Sequence, residues 1–196
     1  MQEIPAPQRI PIAVAWHPPD ASWYKINFDG ALFVKENCAG VGVVIRNEQG
    51  LVMASLSQKI PLPFTIVEME ALAARRAVKF AAELGLDRIV LEGDSEILVN
   101  TLLHGCRSLA QFGHLAADLQ HMASQSFTDY HFSHVCRLCN TVCTLTCTES
   151  YSLLPYGRWK MFHLTVFLLS RLISTAFINN ITYCLYSQKK KKKSIH

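Results

Sequence analysis

The chain has 196 residues and a mass of 22.0 kDa, half of its residues hydrophobic and 17% charged, with 9 Gly and 8 Pro. That composition excludes collagen-like, coiled-coil and wholly disordered chains, and the length suits one domain with a real core plus some excess. The net charge of +4 divides by position: residues 1–135 carry ten Lys/Arg against fourteen Asp/Glu, and residues 136–196 carry nine against one, five of them in Lys189–Lys193. The folded part is therefore mildly acidic, and the basic balance belongs to the tail.

Met1 to Asp20 is Pro-rich and lacks an apolar stretch between a basic end and a small-residue cleavage site, so it reads as a linker and not a secretory signal. The seven cysteines, an odd number without an export signal, are expected as reduced thiols inside the cell, nuclear or cytoplasmic. From Trp23 the pattern becomes orderly. Tyr24, Ile26 and Phe28 alternate with Lys25, Asn27 and Asp29, which predicts a strand with a carboxylate at its end. Gly40–Asn47, rich in β-branched residues, and Leu51–Ile60 predict two more strands, joined by the turn Asn47–Gly50, so the three form an antiparallel meander. Gly40 and Gly42 mark places where a backbone or ligand comes close.

A helix is predicted over Ile66–Leu84, with Val67, Ala71, Ala74, Val78 and Ala81 on one face and Gly85 closing it. Glu70 falls on that inward stripe, where a carboxylate is costly without compensation. Asp87–Asp94 predicts a fourth strand, parallel to the first because a helix intervenes, again ending in an acid. Two helices at Ser95–Leu103 and Leu109–Ser124 and a fifth strand at Asp129–Val135 complete the order β-β-β-α-β-α-α-β, one mixed sheet with helices packed on it.

Three acids stand at telling places: Asp29 and Asp94 at the ends of parallel strands, and Glu70 inside a helix face. The carboxyl ends of neighbouring parallel strands share one crevice, where three carboxylates would repel one another strongly. Mg²⁺, or Mn²⁺, removes that repulsion, and a pair of such ions supports in-line attack on a phosphodiester. Position alone also admits a plainer reading, in which Asp29 and Asp94 cap loops and Glu70 reaches solvent.

Trp23–Ala31, Gly40–Arg46, Glu68–Ala74 and Leu91–Ser95 together resemble the ribonuclease H type 1 family, and more narrowly its plant reverse-transcriptase-like branch derived from non-LTR retroelements. The resemblance spans about Trp16 to Asn140. It implies a ribonuclease H-like α/β fold, a five-stranded mixed sheet flanked by helices, and metal-dependent hydrolysis of the RNA strand of an RNA/DNA hybrid. Asp29, Glu70 and Asp94 match three of the family's metal-binding acids, and His134 falls where a mobile catalytic histidine usually sits. The fourth acid is missing, because Thr144 occupies that point and is a poor Mg²⁺ ligand. The family's terminal amphipathic helix also fails to show, so that helix is expected to be missing or replaced. The Cys/Thr-rich stretch and the pentalysine point to a splice or frame change near Asn140.

The expected organisation is a Pro-rich leader at 1–15, a ribonuclease H-like domain at 16–140 and a hydrophobic, basic tail at 141–196. Binding of the hybrid, or of other nucleic acid, is expected from backbone amides near Gly30 and Gly40 and from Asn27, Ser95 and Asn140. Arg107 is the only basic residue between Ser95 and Ser124, so affinity is expected to be modest and salt-sensitive. Cys136, Cys139, Cys143 and Cys147 are too crowded for a typical zinc site, and the apolar run Met161–Tyr186 is interrupted by Arg171 and Asn179–Asn180, so neither zinc nor a membrane span is expected. A monomer is expected. The competing class is a binding-only relic that holds nucleic acid without turnover.

Overall fold

The computed structural model describes residues 15–104, 111–153 and 159–162. β1 (Tyr24–Phe33), β2 (Cys38–Arg46) and β3 (Val52–Pro61) form the antiparallel meander. α1 (Ile66–Glu83) crosses back, so that β4 (Arg88–Gly93) lies parallel to β1. After α2 (Glu96–His104) and α3 (Gln111–Ser126), β5 (Asp129–His134) pairs parallel with β4. The five strands stand in the order β3-β2-β1-β4-β5, as expected of a ribonuclease H-like sheet.

α1 begins and ends where its sequence dictates. The Thr65 hydroxyl accepts the Glu68 N–H at 3.1 Å, while the Glu68 carboxylate accepts the Phe64 N–H at 2.9 Å, a reciprocal N-terminal clasp. Gly85, at φ 69°, turns the chain out of the helix as Leu86 N–H closes on the Ala81 carbonyl. The helix lays Ala71, Ala74, Ala77, Val78 and Ala81 against one face of the sheet. There they join Ile26 and Phe28 of β1, Val41, Val43 and Ile45 of β2, Leu56 of β3 and Leu91 of β4 in one buried cluster, with Leu98, Leu102 and Leu119 of α2 and α3.

The other face of the sheet carries the surprise. A helix stands where the terminal helix was expected to be missing or replaced: α4 (Thr141–Leu153), built from Cys/Thr-rich sequence and packed on β1, β2 and β3. Its sheet-facing residues, Cys143 and Cys147, are small and buried. The Cys143 thiol donates to the Gly42 carbonyl at 3.0 Å, and that of Cys147 to the Asp29 carbonyl at 2.9 Å. Ser57 of β3 donates to the Thr146 carbonyl at 3.0 Å. Short polar contacts and small side chains thus do what a broad apolar stripe does elsewhere, which is why the helix lacks the amphipathic signature. A short β6 (Trp159–Phe162) then adds antiparallel to the β3 edge, occupying backbone groups that an edge strand leaves open. Residues 1–14, Arg107, Lys189–Lys193 and most of Met161–Tyr186, with Arg171 and Asn179–Asn180, lie outside the described residues. Among the described residues no helix is long and apolar enough to cross a membrane.

Gly42 is the contact point between sheet and α4. A Cβ there would stand 2.7 Å from the Cys143 carbonyl oxygen, the Cys147 nitrogen and the Cys147 sulfur, two of them backbone atoms that cannot swing aside. Gly42→Ala is therefore expected to lower stability by about 1–3 kcal/mol, read as a shift of the urea midpoint at unchanged slope. An unchanged midpoint would mean that α4 does not rest on this residue.

Candidate functional site

Asp29, Glu70 and Asp94, from β1, α1 and the residue following β4, converge at one end of the sheet. One carboxylate oxygen from each lies within 4.8 Å of the other two. Gly30 makes the approach possible: its missing side chain leaves room for Met69, whose Cγ would be 2.6 Å from a Cβ, and Glu70 follows Met69 directly. Asp29 is 3% exposed and Glu70 8%.

Burial and mutual repulsion dominate the electrostatics. Burial pushes the Glu70 carboxyl up to about 8, with Asp29 and then Asp94 adding to the rise and Arg137 opposing it. The Asp29 carboxyl is also raised, first by burial and then by Asp94. The Thr144 hydroxyl, the Gly30 amide at 2.8 Å and the Arg137 charge pull it back. The Thr144 hydroxyl lies between the Asn140 carbonyl, at 3.4 Å, and Asp29; it has one proton, and the charged acceptor is the stronger claimant. Thr144, read from the sequence as standing in the fourth acid's place, thus sits beside the triad.

Glu70 Oε2 is buried with no hydrogen-bond partner. A buried carboxylate with an orphaned oxygen, grouped with two further acids, fits a hard divalent cation such as Mg²⁺ or Mn²⁺, which prefers oxygen ligands. Among the described residues this is the only group of three or more acids, cysteines or histidines with metal-holding spacing. The crowded cysteines do not add one, because Cys143 and Cys147 are spent under α4 while Cys136 and Cys139 lie in the turn before it.

The other expected site residues divide. His134 is exposed at the C-terminal end of β5, opposite Gly93, the residue before Asp94. Ser95 starts α2: its carbonyl accepts the Val99 N–H at 3.0 Å and its hydroxyl the Leu98 N–H at 3.5 Å. Asn27 and Asn140 are corrected as nucleic-acid contacts, since each is 1% exposed. Asn27 donates to Glu92 and accepts from Arg46, both at 2.8 Å, and Asn140 donates to the Phe28 carbonyl at 2.9 Å. The alternation that set Asn27 on the face opposite Phe28 was right, but α4 covers that face. Gly40 is corrected on the same ground: it is buried in the middle strand between Ala31 and Lys59, and its backbone belongs to the ladder.

Two features were not anticipated. Arg137 is 82% exposed and holds its Nε 3.8 Å from Asp94 Oδ2, placing a cation at the rim of the acids. Glu92, on the β4 stretch that leads to Asp94, is turned into a separate buried network. It accepts from Trp16 Nε1 and Asn27 Nδ2 at 2.8 Å and pairs with Lys25 at 3.3 Å, while Trp16 lies over Lys25 and Arg46. Partners 65 and 76 residues away in the chain leave no local signal.

A mixed sheet in this strand order with an acid trio at its end defines a ribonuclease H-like protein. Similar solved structures include RNase H1 from the halophilic archaeon Halobacterium salinarum NRC-1, 25% identical over 66% of this chain and 98% of that one, with a TM-score of 0.60. LC11-RNase H1, isolated from compost and solved in complex with RNA/DNA hybrid, is 23% identical over 66% and 96%, with a TM-score of 0.59. The N-terminal RNase H domain of rv2228c from Mycobacterium tuberculosis is 22% identical over 66% and 94%, with a TM-score of 0.58. Comparison with curated proteins finds no match. The Reverse transcriptase-like family pattern matches residues 27–150, and the chain belongs to that family. The match runs past Asn140 and through most of α4, which corrects the expectation that the family pattern stops there.

The raised Glu70 pKa has a consequence for stability. A carboxyl raised on folding contributes stability that is complete below its ordinary value of 4.5 and is lost as pH climbs toward about 8. In chelator, the melting temperature should therefore fall over that window, by an amount equivalent to a few kcal/mol. Glu70→Gln, neutral throughout, should flatten the fall, and Mg²⁺ should offset it in the wild type alone. A wild-type profile as flat as the variant's would contradict the burial of Glu70 beside Asp29 and Asp94.

Proposed function

We propose that this protein binds RNA/DNA hybrids and hydrolyses their RNA strand, with Asp29, Glu70 and Asp94 holding Mg²⁺ or Mn²⁺. The observation that carries the reading is the convergence of one carboxylate oxygen from each of three acids within 4.8 Å, with Glu70 also holding an oxygen, Oε2, buried without a partner. Membership of the Reverse transcriptase-like family and likeness to an RNase H1 solved with RNA/DNA hybrid support it. The narrower origin, a plant branch descended from non-LTR retroelements, is part of the same proposal and rests on the motifs around Asp29, Glu70 and Asp94.

Bound between the acids, the divalent ion supplies charge neutralisation and Lewis acidity at the phosphate. The chain does the positioning. The Thr144 hydroxyl and the Gly30 amide fix the Asp29 carboxylate from two sides, and Met69 over Gly30 fixes the height of Glu70. Arg137, exposed at the rim beside Asp94, offers a guanidinium to an incoming phosphate oxygen. His134, at the adjacent strand end, takes the role of moving a proton or easing product release. Ser95, just before α2, and the Gly30 backbone amide beside Asp29 lie on the substrate side in this reading.

A second reading is favoured by one observation: a neutral Thr144 stands beside Asp29 where the resemblance calls for an acid. On that reading the protein holds nucleic acid without turnover. The two separate on a purified full chain assayed with an RNA/DNA hybrid and Mg²⁺ or Mn²⁺. The nuclease reading expects RNA-strand cleavage that Asp94→Asn reduces by about 10²-fold or more, the rate equivalent of several kcal/mol of lost charge stabilisation. Hybrid binding with no cleavage in either metal would establish the binding-only reading instead. On the nuclease reading, Thr144→Asp should lower the Mg²⁺ concentration needed for half-maximal rate, measured by metal titration of the same assay.

A further inference from the structure

The turn between β5 and α4 carries two thiols that hydrolysis does not employ. Cys136 precedes the short 3-10 turn Arg137–Asn140 and Cys139 lies within it, and their sulfurs stand 3.2 Å apart. The Cys139 N–H donates to the Cys136 carbonyl at 2.9 Å, closing a four-residue turn whose ends stand within about 7 Å of each other. Disulfides span Cα separations of about 4.4–6.8 Å with an S–S bond of about 2.05 Å, so only a small inward movement separates this dithiol from a bond. Both residues are half-exposed, whereas Cys38, Cys143 and Cys147 are buried. A small oxidant therefore meets this pair first among the described cysteines.

The place of the pair in the fold gives the chemistry a consequence. Arg137, which pairs with Asp94, lies between the two cysteines. Asn140, which holds the Phe28 carbonyl one residue before Asp29, follows directly after Cys139. A bond across the turn would staple the segment that reaches two of the three acids.

We propose that Cys136 and Cys139 form a redox modification site, oxidised to an intramolecular disulfide by a low-molecular-weight disulfide of the glutathione class. A thiolate of the pair attacks one sulfur of oxidised glutathione, forming a mixed disulfide and releasing one glutathione thiolate. The second protein thiolate attacks the protein sulfur of that mixed disulfide, forming the Cys136–Cys139 bond and releasing the second glutathione. Two protein thiols are oxidised, one glutathione disulfide is reduced to two glutathione molecules, and the two protein protons end on them. The contact between the sulfurs lowers the pKa of the Cys136 thiol and raises that of Cys139, which suits Cys136 to the first attack. The proposal does not depend on the hydrolytic reading.

The test uses the folded full chain in glutathione buffers, followed by acid quenching, alkylation of remaining thiols and peptide mass mapping. The expected result is a Cys136–Cys139 peptide lighter by two hydrogens that escapes alkylation and is restored to two alkylated thiols by prior treatment with dithiothreitol. Cys139→Ser should stop at one glutathione on Cys136, and amide exchange across residues 136–141 should slow when the wild type is oxidised. Both thiols remaining alkylatable under excess oxidised glutathione, or a disulfide joining either to another cysteine, would overturn the proposal. Circular dichroism of the single Ser variants confirms that any loss of reaction is not a loss of fold.

Discussion

Like charges brought together out of water are the constraint on which the rest of this structure turns. Asp29, Glu70 and Asp94 place oxygens within 4.8 Å in a setting where burial, with the two neighbouring acids, lifts Glu70 to about 8. Near a protein surface two unit charges 4 Å apart repel by about 4 kcal/mol, and the interior strengthens that. A fold of ordinary stability holds only about 5–15 kcal/mol in reserve, so it tolerates such a trio when a proton or a cation neutralises it. Everything nearby is arranged around that demand: a glycine that lets a helix approach, a hydroxyl and an amide on Asp29, and a guanidinium at the rim.

The sheet supplies the rigidity that keeps the trio in place, and it does so with two unlike faces. On one, α1, α2 and α3 cover an apolar surface of branched and aromatic side chains. On the other, α4 covers a polar surface of glycine, serine, asparagine and buried charge, through thiols that reach strand carbonyls and a Ser57 hydroxyl that reaches the Thr146 carbonyl. The second face also holds the Trp16–Lys25–Asn27–Arg46–Glu92 network, which ties the segment before β1 to the sheet. Because α4 rests on β1 through Cys147 and the Asp29 carbonyl, the placement of Asp29 depends on that helix as well as on its strand.

Much of this was legible in the sequence, and the reason is periodicity. Alternation marked β1 and β5, a helical stripe marked α1, and acids at strand ends or on a buried stripe violated the same patterns visibly enough to mark the site. α4 was not legible because its inward residues are cysteines, its described threonines are spread over half-buried and exposed positions and Leu145 is exposed, a contrast too faint for a hydrophobic stripe. That one omission explains the misreading of Asn27: its face of the strand was correctly assigned and was taken as open, when α4 closes it. The Glu92 network and the Arg137–Asp94 pair escaped because their partners meet only through the tertiary fold.

The account rests on one physical claim, that the three acids jointly hold a divalent cation. Crystals of the full chain grown with Mn²⁺ test it directly, through anomalous scattering at the manganese edge. The account predicts a peak within about 2.0–2.4 Å of oxygens from Asp29, Glu70 and Asp94, lost in Asp94→Asn crystals grown alike. Crystals saturated with manganese that show no peak among these oxygens, or one bound only by other residues, would contradict it.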